Sequence, residues 1–235
     1  MVEVSPAERL ANVRGRIEAA CAACGRDPAE VTLVAVSKLH EASAVVAMAA
    51  LGQRIFGESY IQEAIAKIED CPPGLEWHFI GHLQRNKVKF TIGRFALIHT
   101  VDNLELAQTL QKRNEACALT QAVCLQVNVA GEVQKSGVAP EGLPALAEAV
   151  AAMPNLALRG LMVIPPVFDD PEGARPAFAA LRRLRDDISI RLSMPLPVLS
   201  MGMSGDMEAA ILEGATHVRV GTDLFGSRPA VRPAL

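Results

Sequence analysis

The sequence predicts an α/β fold, a single (β/α)₈ barrel of the TIM type with one extra helix at its N-terminus. Three observations predict it. Eight short segments rich in Val, Ile and Leu recur along the chain, as buried parallel strands should. Helical patterns fall between them, and strands joined by helical crossovers run parallel. Eight is also the number at which such a sheet closes on itself. The competing architecture is a doubly wound open sheet, but no GxGxxG follows any strand candidate.

The elements follow in order. A helical pattern opens at Pro6 after Ser5, carries Leu10, Val13, Ile17, Ala20 and Cys24 as its apolar stripe, and ends at Gly25. Because it precedes the first strand, it is expected to cap the bottom of the barrel. Strands are predicted at 31–37, 54–58, 77–81, 96–101, 122–128, 158–164, 197–202 and 217–222. Helices are predicted at 41–50, 61–69, 104–114, 142–152 and 175–190. A last one begins around Ser204–Asp206, runs to Glu213 and is closed by Gly214. With no linker or repeat in view, residues 1–235 are expected to form one domain.

Composition narrows the classes of function. Half of the 235 residues are hydrophobic and the net charge is −3, so no strong field favours nucleic acid or anionic lipid. Arg182, Arg183 and Arg185 sit among Asp186 and Asp187 and read as a solvated helix face. The five cysteines lack the spacing of a zinc site or disulfide framework. Cys21 and Cys24 share one face of a helix, so packing is favoured over redox chemistry. A reducing cytoplasm is expected. The first residues hold no signal peptide and no apolar run is long enough for a bilayer.

A barrel places its chemistry at the C-terminal ends of its strands. The first strand ends in Ser37-Lys38, the second in Gly57-Glu58-Ser59-Tyr60 and the seventh in a run from Ser200 to Asp206. Lys38 follows a nearly apolar strand, so partial desolvation should lower its pKa and free an amine for Schiff-base chemistry. The bland alternative is a lysine snorkelling from the rim. The loops after strands seven and eight offer a phosphate site. Ser204 can cap the helix that follows it, Gly202 and Gly205 permit close backbone approach, and Gly221-Thr222 supplies an N–H and a hydroxyl. Ordinary turn chemistry uses the same residues. Arg219, two residues before Gly221, points to the same side and needs a partner. A ring nitrogen or the Glu58 carboxylate would serve.

Several stretches resemble one family. They are LVAVSK at 33–38, FGESYIQE at 56–63, WHFIGHLQRNK at 77–87, SMGMSGDMEAAI at 200–211 and HVRVGTDLFGSR at 217–228. Together they resemble the pyridoxal phosphate homeostasis proteins, also called the YggS or PROSC family, single-domain relatives of the N-terminal barrel of alanine racemase. The resemblance implies pyridoxal 5′-phosphate as cofactor, held by Lys38 as an internal aldimine. It implies that Ser204 and the Gly221-Thr222 backbone hold the phosphate, with Ser200 and Met203 nearby. It also implies that Arg219 faces the pyridine nitrogen and keeps it unprotonated, which disfavours carbanion chemistry. Two departures stand out: Ser59 replaces the usual asparagine, and His82 replaces a proline or small residue.

The expected function is therefore intracellular storage, buffering or delivery of the cofactor, without robust turnover. The expected partners are the cofactor itself and apo enzymes that use it, with no nucleic acid, no membrane and a monomeric state. An amino-acid racemase is the competing reading, but it needs bases on both ring faces. In alanine racemase the second base is a tyrosine from a C-terminal β-domain; Tyr60 is the only tyrosine here, and no such domain is expected after strand eight. An aldolase using Lys38 would need acid–base carboxylates beside it, and Glu58 alone is a candidate.

Overall fold

A computed structural model describes residues 4–227, apart from Val133 and Val167. Eight strands close into a barrel in sequence order: β1 (Thr32–Val36), β2 (Ile55–Glu58), β3 (Glu76–Phe79), β4 (Leu97–Val101), β5 (Gln121–Gln126), β6 (Leu156–Met162), β7 (Val198–Ser200) and β8 (His217–Val220). Every neighbouring pair is parallel, including β8 with β1. Each strand lies within two residues of its predicted bounds, and closure excludes the open sheet.

Side chains alternate across a strand, so each strand feeds two interiors. Outward-facing Phe56, Trp77, Phe79, Ile98, Val123, Leu125, Leu161 and Leu199 join the large core between barrel and helices. Inside the barrel the apolar cluster is small: Leu97, Cys124, Met162 and Val198. Val34, Val36 and Ile80 lie nearer the mouth, and several other inward positions are polar: His78, His99, Ser200 and Arg219 are all buried there. Burial pushes the Cys124 thiol far up, which leaves it protonated and inert.

The helices are α1 (Pro6–Ala23), α2 (Ala42–Ala50), α3 (Ile61–Asp70), α4 (Leu104–Glu115), α5 (Leu143–Ala151), α6 (Arg175–Leu192), α7 (Met207–Leu212) and α8 (Thr222–Phe225). Only a 3₁₀ segment, Arg85–Phe90, joins β3 to β4. On α6, Arg182 pairs with Glu213 and Arg185 with Asp186, as a solvated face would.

Ser5 starts α1 with a capping box: its hydroxyl accepts the Glu8 N–H, and the Glu8 carboxylate accepts the Ser5 N–H. The helix does not cap the bottom of the barrel. It lies on the flank, packed against α7, α8 and α2. Its C-terminal end reaches the base of the wall, where Arg26 donates to the Ile211 and Ala215 carbonyls. The reason is packing. The helices after β7 and β8 are only six and four residues long, and the stripe of Leu10, Val13, Ile17 and Ala20 covers the apolar surface they leave. Cys21 is buried on that stripe, and Cys24 Sγ donates to the Ala20 carbonyl at 3.3 Å.

Candidate cofactor site

The C-terminal mouth of the barrel opens into a cavity of about 220 Å³. Lys38, Met203, Ser204, Arg219, Gly221 and Thr222 all line it, joined by His40, Ser59 and Gly205. Six of the seven residues expected at the site therefore meet in one cleft. Ser200 does not line it. It is fully buried one layer below, where its hydroxyl accepts from Arg219 Nη1 at 2.7 Å.

Lys38 is carried on a braced turn. Leu39 has φ 66°, a left-handed conformation that costs a non-glycine residue energy and must be held by its surroundings. The bracing comes from α3. Lys67 Nζ donates to the Ser37 carbonyl at 2.6 Å, to Glu58 at 2.7 Å and to Glu63 at 2.6 Å. Glu63 in turn accepts the Leu39 N–H. Glu58 also accepts from the Ser37 hydroxyl at 2.6 Å. Burial pushes the Glu58 carboxyl up, while the hydrogen bonds from Lys67 and Ser37 oppose that push. Breaking such a buried pair from one side typically costs about 3–5 kcal/mol. Glu58 is thus committed to Lys67 outside the barrel wall and is not the partner of Arg219.

Arg219 projects inside the barrel and is 4 % exposed. Its second nitrogen, Nη2, donates to the Val163 carbonyl at 2.9 Å. Both hydrogen-bond acceptors are neutral oxygens, and burial lowers its pKa to about 10, partly offset by Asp206 and Cys124. The group therefore stays cationic at neutral pH and stands at the floor of the cleft.

Ser204 does not cap the helix that follows it. Asp206 is the N-cap of α7, and its carboxylate turns back to accept the Met203 N–H at 2.6 Å. Gly202, at φ 90°, is required by helix packing: a Cβ there would sit 2.6 Å from the Ala210 methyl. Gly205 is different, because a Cβ there would meet nothing within 4 Å. Among the described residues, the N–H groups of Ser204, Gly205 and Thr222 have no protein acceptor. A cleft with unclaimed donors on one wall, an amine on another and a cation at its floor fits an anionic aromatic aldehyde such as pyridoxal phosphate.

Arg16 escaped sequence reasoning. From α1 it donates to the Ser204 carbonyl at 2.9 Å and to Glu208 at 2.6 Å, and it pairs with Asp223 of α8. One guanidinium thus ties together both loops that line the donor wall. No local pattern distinguishes it from the other arginines of an amphipathic helix. His40, in the turn between β1 and α2, stacks on Phe225 at 5.2 Å, a contact across most of the chain that local pattern does not reveal. His82 is exposed, bonds to Ser136 and lies outside the cleft.

Comparison with known proteins places this geometry. Residues 9–229 match the model of the alanine racemase N-terminal domain. The pyridoxal phosphate homeostasis protein of Pseudomonas aeruginosa is 52 % identical over 97 % of this chain and 98 % of its own length. That of Escherichia coli strain K12 is 44 % identical over 94 % and 96 %. PipY of Synechococcus elongatus PCC7942, solved with pyridoxal phosphate bound, superposes with a TM-score of 0.83 at 38 % identity over 94 % of this chain and all of that one. Alanine racemase from Corynebacterium glutamicum shares the fold at a TM-score of 0.70 and 18 % identity, over 94 % of this chain and 64 % of that one. With its barrel, its strand-end lysine and these relatives in agreement, the chain belongs to the family of pyridoxal phosphate homeostasis proteins, built on the alanine racemase N-terminal domain.

Proposed function

We propose that residues 1–235 form one domain that binds pyridoxal 5′-phosphate at Lys38 and keeps it for storage, buffering or delivery. The observation that carries this reading is that Lys38, Arg219 and the donors of Ser204, Gly205 and Thr222 line the same cavity. The cofactor supplies an aldehyde that links covalently to an amine and a ring that can accept electrons. The chain supplies the rest. The α3 brace presents the Lys38 amine at the mouth. The two loops clamped by Arg16 supply phosphate donors. Arg219 points hydrogen-bond donors rather than a carboxylate at the floor, so a ring nitrogen there is left without a proton. This suits holding the group more than driving carbanion chemistry. Met203 contributes wall area, and Ser200 acts through Arg219.

The partners that follow from this reading are the cofactor and the apo enzymes that use it, with a monomer as the working unit. All five thiols are free, which supports a reducing, cytoplasmic compartment. No helix among the described residues is long and apolar enough to cross a membrane.

The test is affinity. Ser204→Ala and Thr222→Ala should each weaken cofactor binding while the circular dichroism spectrum is unchanged. A hydrogen bond to a charged group is worth about 1.5–3 kcal/mol, or roughly ten- to hundredfold in Kd. Parent-like affinity in both variants would exclude a phosphate contact from either hydroxyl and leave the site to the backbone N–H groups alone.

One observation favours a catalytic alternative: His40 lines the same cavity as Lys38 and could serve as a second base. Deuterium exchange at the α-carbon of L- and D-amino acids decides between the two. The expected result is no appreciable exchange. Rapid exchange with inversion, dependent on both Lys38 and His40, would make the chain a racemase.

A further inference from the structure

A row of polar side chains crosses the barrel interior beneath the cleft. Arg219 Nη1 donates to Ser200 Oγ at 2.7 Å, and Ser200 Oγ lies 2.7 Å from His99 Nδ1. His99 Nε2 lies 3.0 Å from His78 Nδ1, and His78 Nε2 lies 2.9 Å from Glu76 Oε1. Ser200 and His99 are fully buried, and His78 is 2 % exposed. The Glu76 side chain is 49 % exposed and stands at the opposite end of the barrel, in an open cleft shared with Arg26, Arg159 and His217.

The two ends of this row decide where every proton in it lies. A guanidinium only donates and an ionised carboxylate only accepts. A neutral imidazole has one N–H and one bare nitrogen. Ionised Glu76 therefore takes its hydrogen bond from His78 Nε2–H. His78 Nδ1 is then bare and accepts from His99 Nε2–H. His99 Nδ1 is bare in turn and accepts from the Ser200 hydroxyl, whose oxygen accepts from Arg219. With both rings neutral, no other assignment satisfies all four contacts.

The row also answers what a cation is doing inside the barrel. Buried charges are normally paired, yet the acceptors of Arg219 are the neutral oxygens of Ser200 and Val163. Asp206 acts on Arg219 through space, and the carboxylate to which the guanidinium's hydrogen bonds lead is Glu76, at the far end of the row. We propose that His99 and Ser200 are positioning residues for the cofactor: they connect Arg219 to Glu76 by one-way hydrogen bonds and so hold the guanidinium aimed into the cleft. This rests on the reading that Arg219 faces the bound ring.

The surroundings keep the row neutral in its middle. His99 faces His78 from β3, Ser200 from β7, and His217 and Arg219 from β8, while Glu76 faces His78 and His217, and Cys124 from β5 faces Arg219. Burial first, then the positive charge that His78, His217 and Arg219 would bring, holds the His99 pKa well below its ordinary 6.5.

The decisive measurement is nitrogen-15 NMR of the histidine rings in cofactor-free protein. At about pH 8, both His99 and His78 should carry the proton on Nε2 with Nδ1 bare. His99 should keep that signature below pH 6.5. A proton on Nδ1 of His99 would overturn the row. Binding supplies the second arm. Ser200→Ala and His99→Phe should each weaken cofactor binding roughly tenfold. His99→Gln should recover most of the loss, because its amide can accept from Ser200 and donate to His78. Parent affinity in both Ser200→Ala and His99→Phe would also overturn the proposal. Borohydride labelling of Lys38 in the same proteins keeps the two readings apart. Correct tautomers with no label on Lys38 would sink the cofactor assignment alone, and a labelled Lys38 with wrong tautomers would sink the row alone.

Discussion

Lys38→Ala protein is expected to lose covalent retention of pyridoxal phosphate altogether. Borohydride reduction of the parent should leave a pyridoxyl group on the peptide that contains Lys38, and the variant should show none there. The expectation rests on aim as well as on chemical type. Lysines are common, but this one leaves a braced turn whose left-handed Leu39 is held by Glu63 and whose Ser37 carbonyl is held by Lys67. It emerges into the cavity that also holds Arg219 and the donors of the β7 and β8 loops. Lys67, the other lysine near that turn, is spent on Glu58 and Glu63 and is 6 % exposed. It should not substitute. The non-covalent contacts remain in the variant, so phosphate and ring binding should persist at reduced affinity. A Lys38→Ala protein that is labelled elsewhere at equal occupancy would overturn the assignment.

The fold is expected to weaken steeply as pH falls from about 7 to 4, and the histidines inside the barrel are the cause. His217 has its pKa lowered to about 4, chiefly by burial, with His78 and Arg219 adding to the effect and Glu76 opposing it. In the unfolded chain it titrates near 6.5. Above 6.5 neither state binds the proton, and the fold keeps its full stability. Between 6.5 and 4 the unfolded chain binds a proton that the folded chain refuses, so each step down in pH favours unfolding. Below 4 the contribution is lost in full, a cost of about 3 kcal/mol at 1.36 kcal/mol per pH unit. His99 moves in the same direction. With both rings in play, the steepest slope approaches about 2.7 kcal/mol per pH unit. Urea unfolding at a series of pH values measures it directly. His217→Gln should remove about half of the slope. Equal stability across the range would mean that these rings accept charge inside the barrel.

The architecture was legible because it is periodic. Strands such as 31–37 and 217–222 are short, apolar and spaced by helical crossovers, and a pattern of that kind has few ways to close. Lys38 was legible from its place at the end of an apolar strand, and the two-loop site from its serine, threonine and glycines. The errors are just as informative. Ser204 was assigned a cap because serine commonly caps, but the helix begins two residues later at Asp206, whose carboxylate turns back to the Met203 N–H instead of to the helix. The helix at the N-terminus was assigned to the barrel base because it comes first in the chain. Its place is set by the short α7 and α8, whose exposed flank it covers.

The sequence by itself therefore determined the barrel, the strand that delivers the amine and the loops that face it, since each depends on local pattern and chain order. Tertiary structure alone decided which side chains serve those parts. Arg16 meets the Ser204 carbonyl across 188 positions of chain, and His99 meets Ser200 across 101. Glu58 turns outward to Lys67, while Arg219 turns inward to Ser200. Contacts between distant positions follow from how strands register and helices pack, and no single stretch of sequence encodes that geometry.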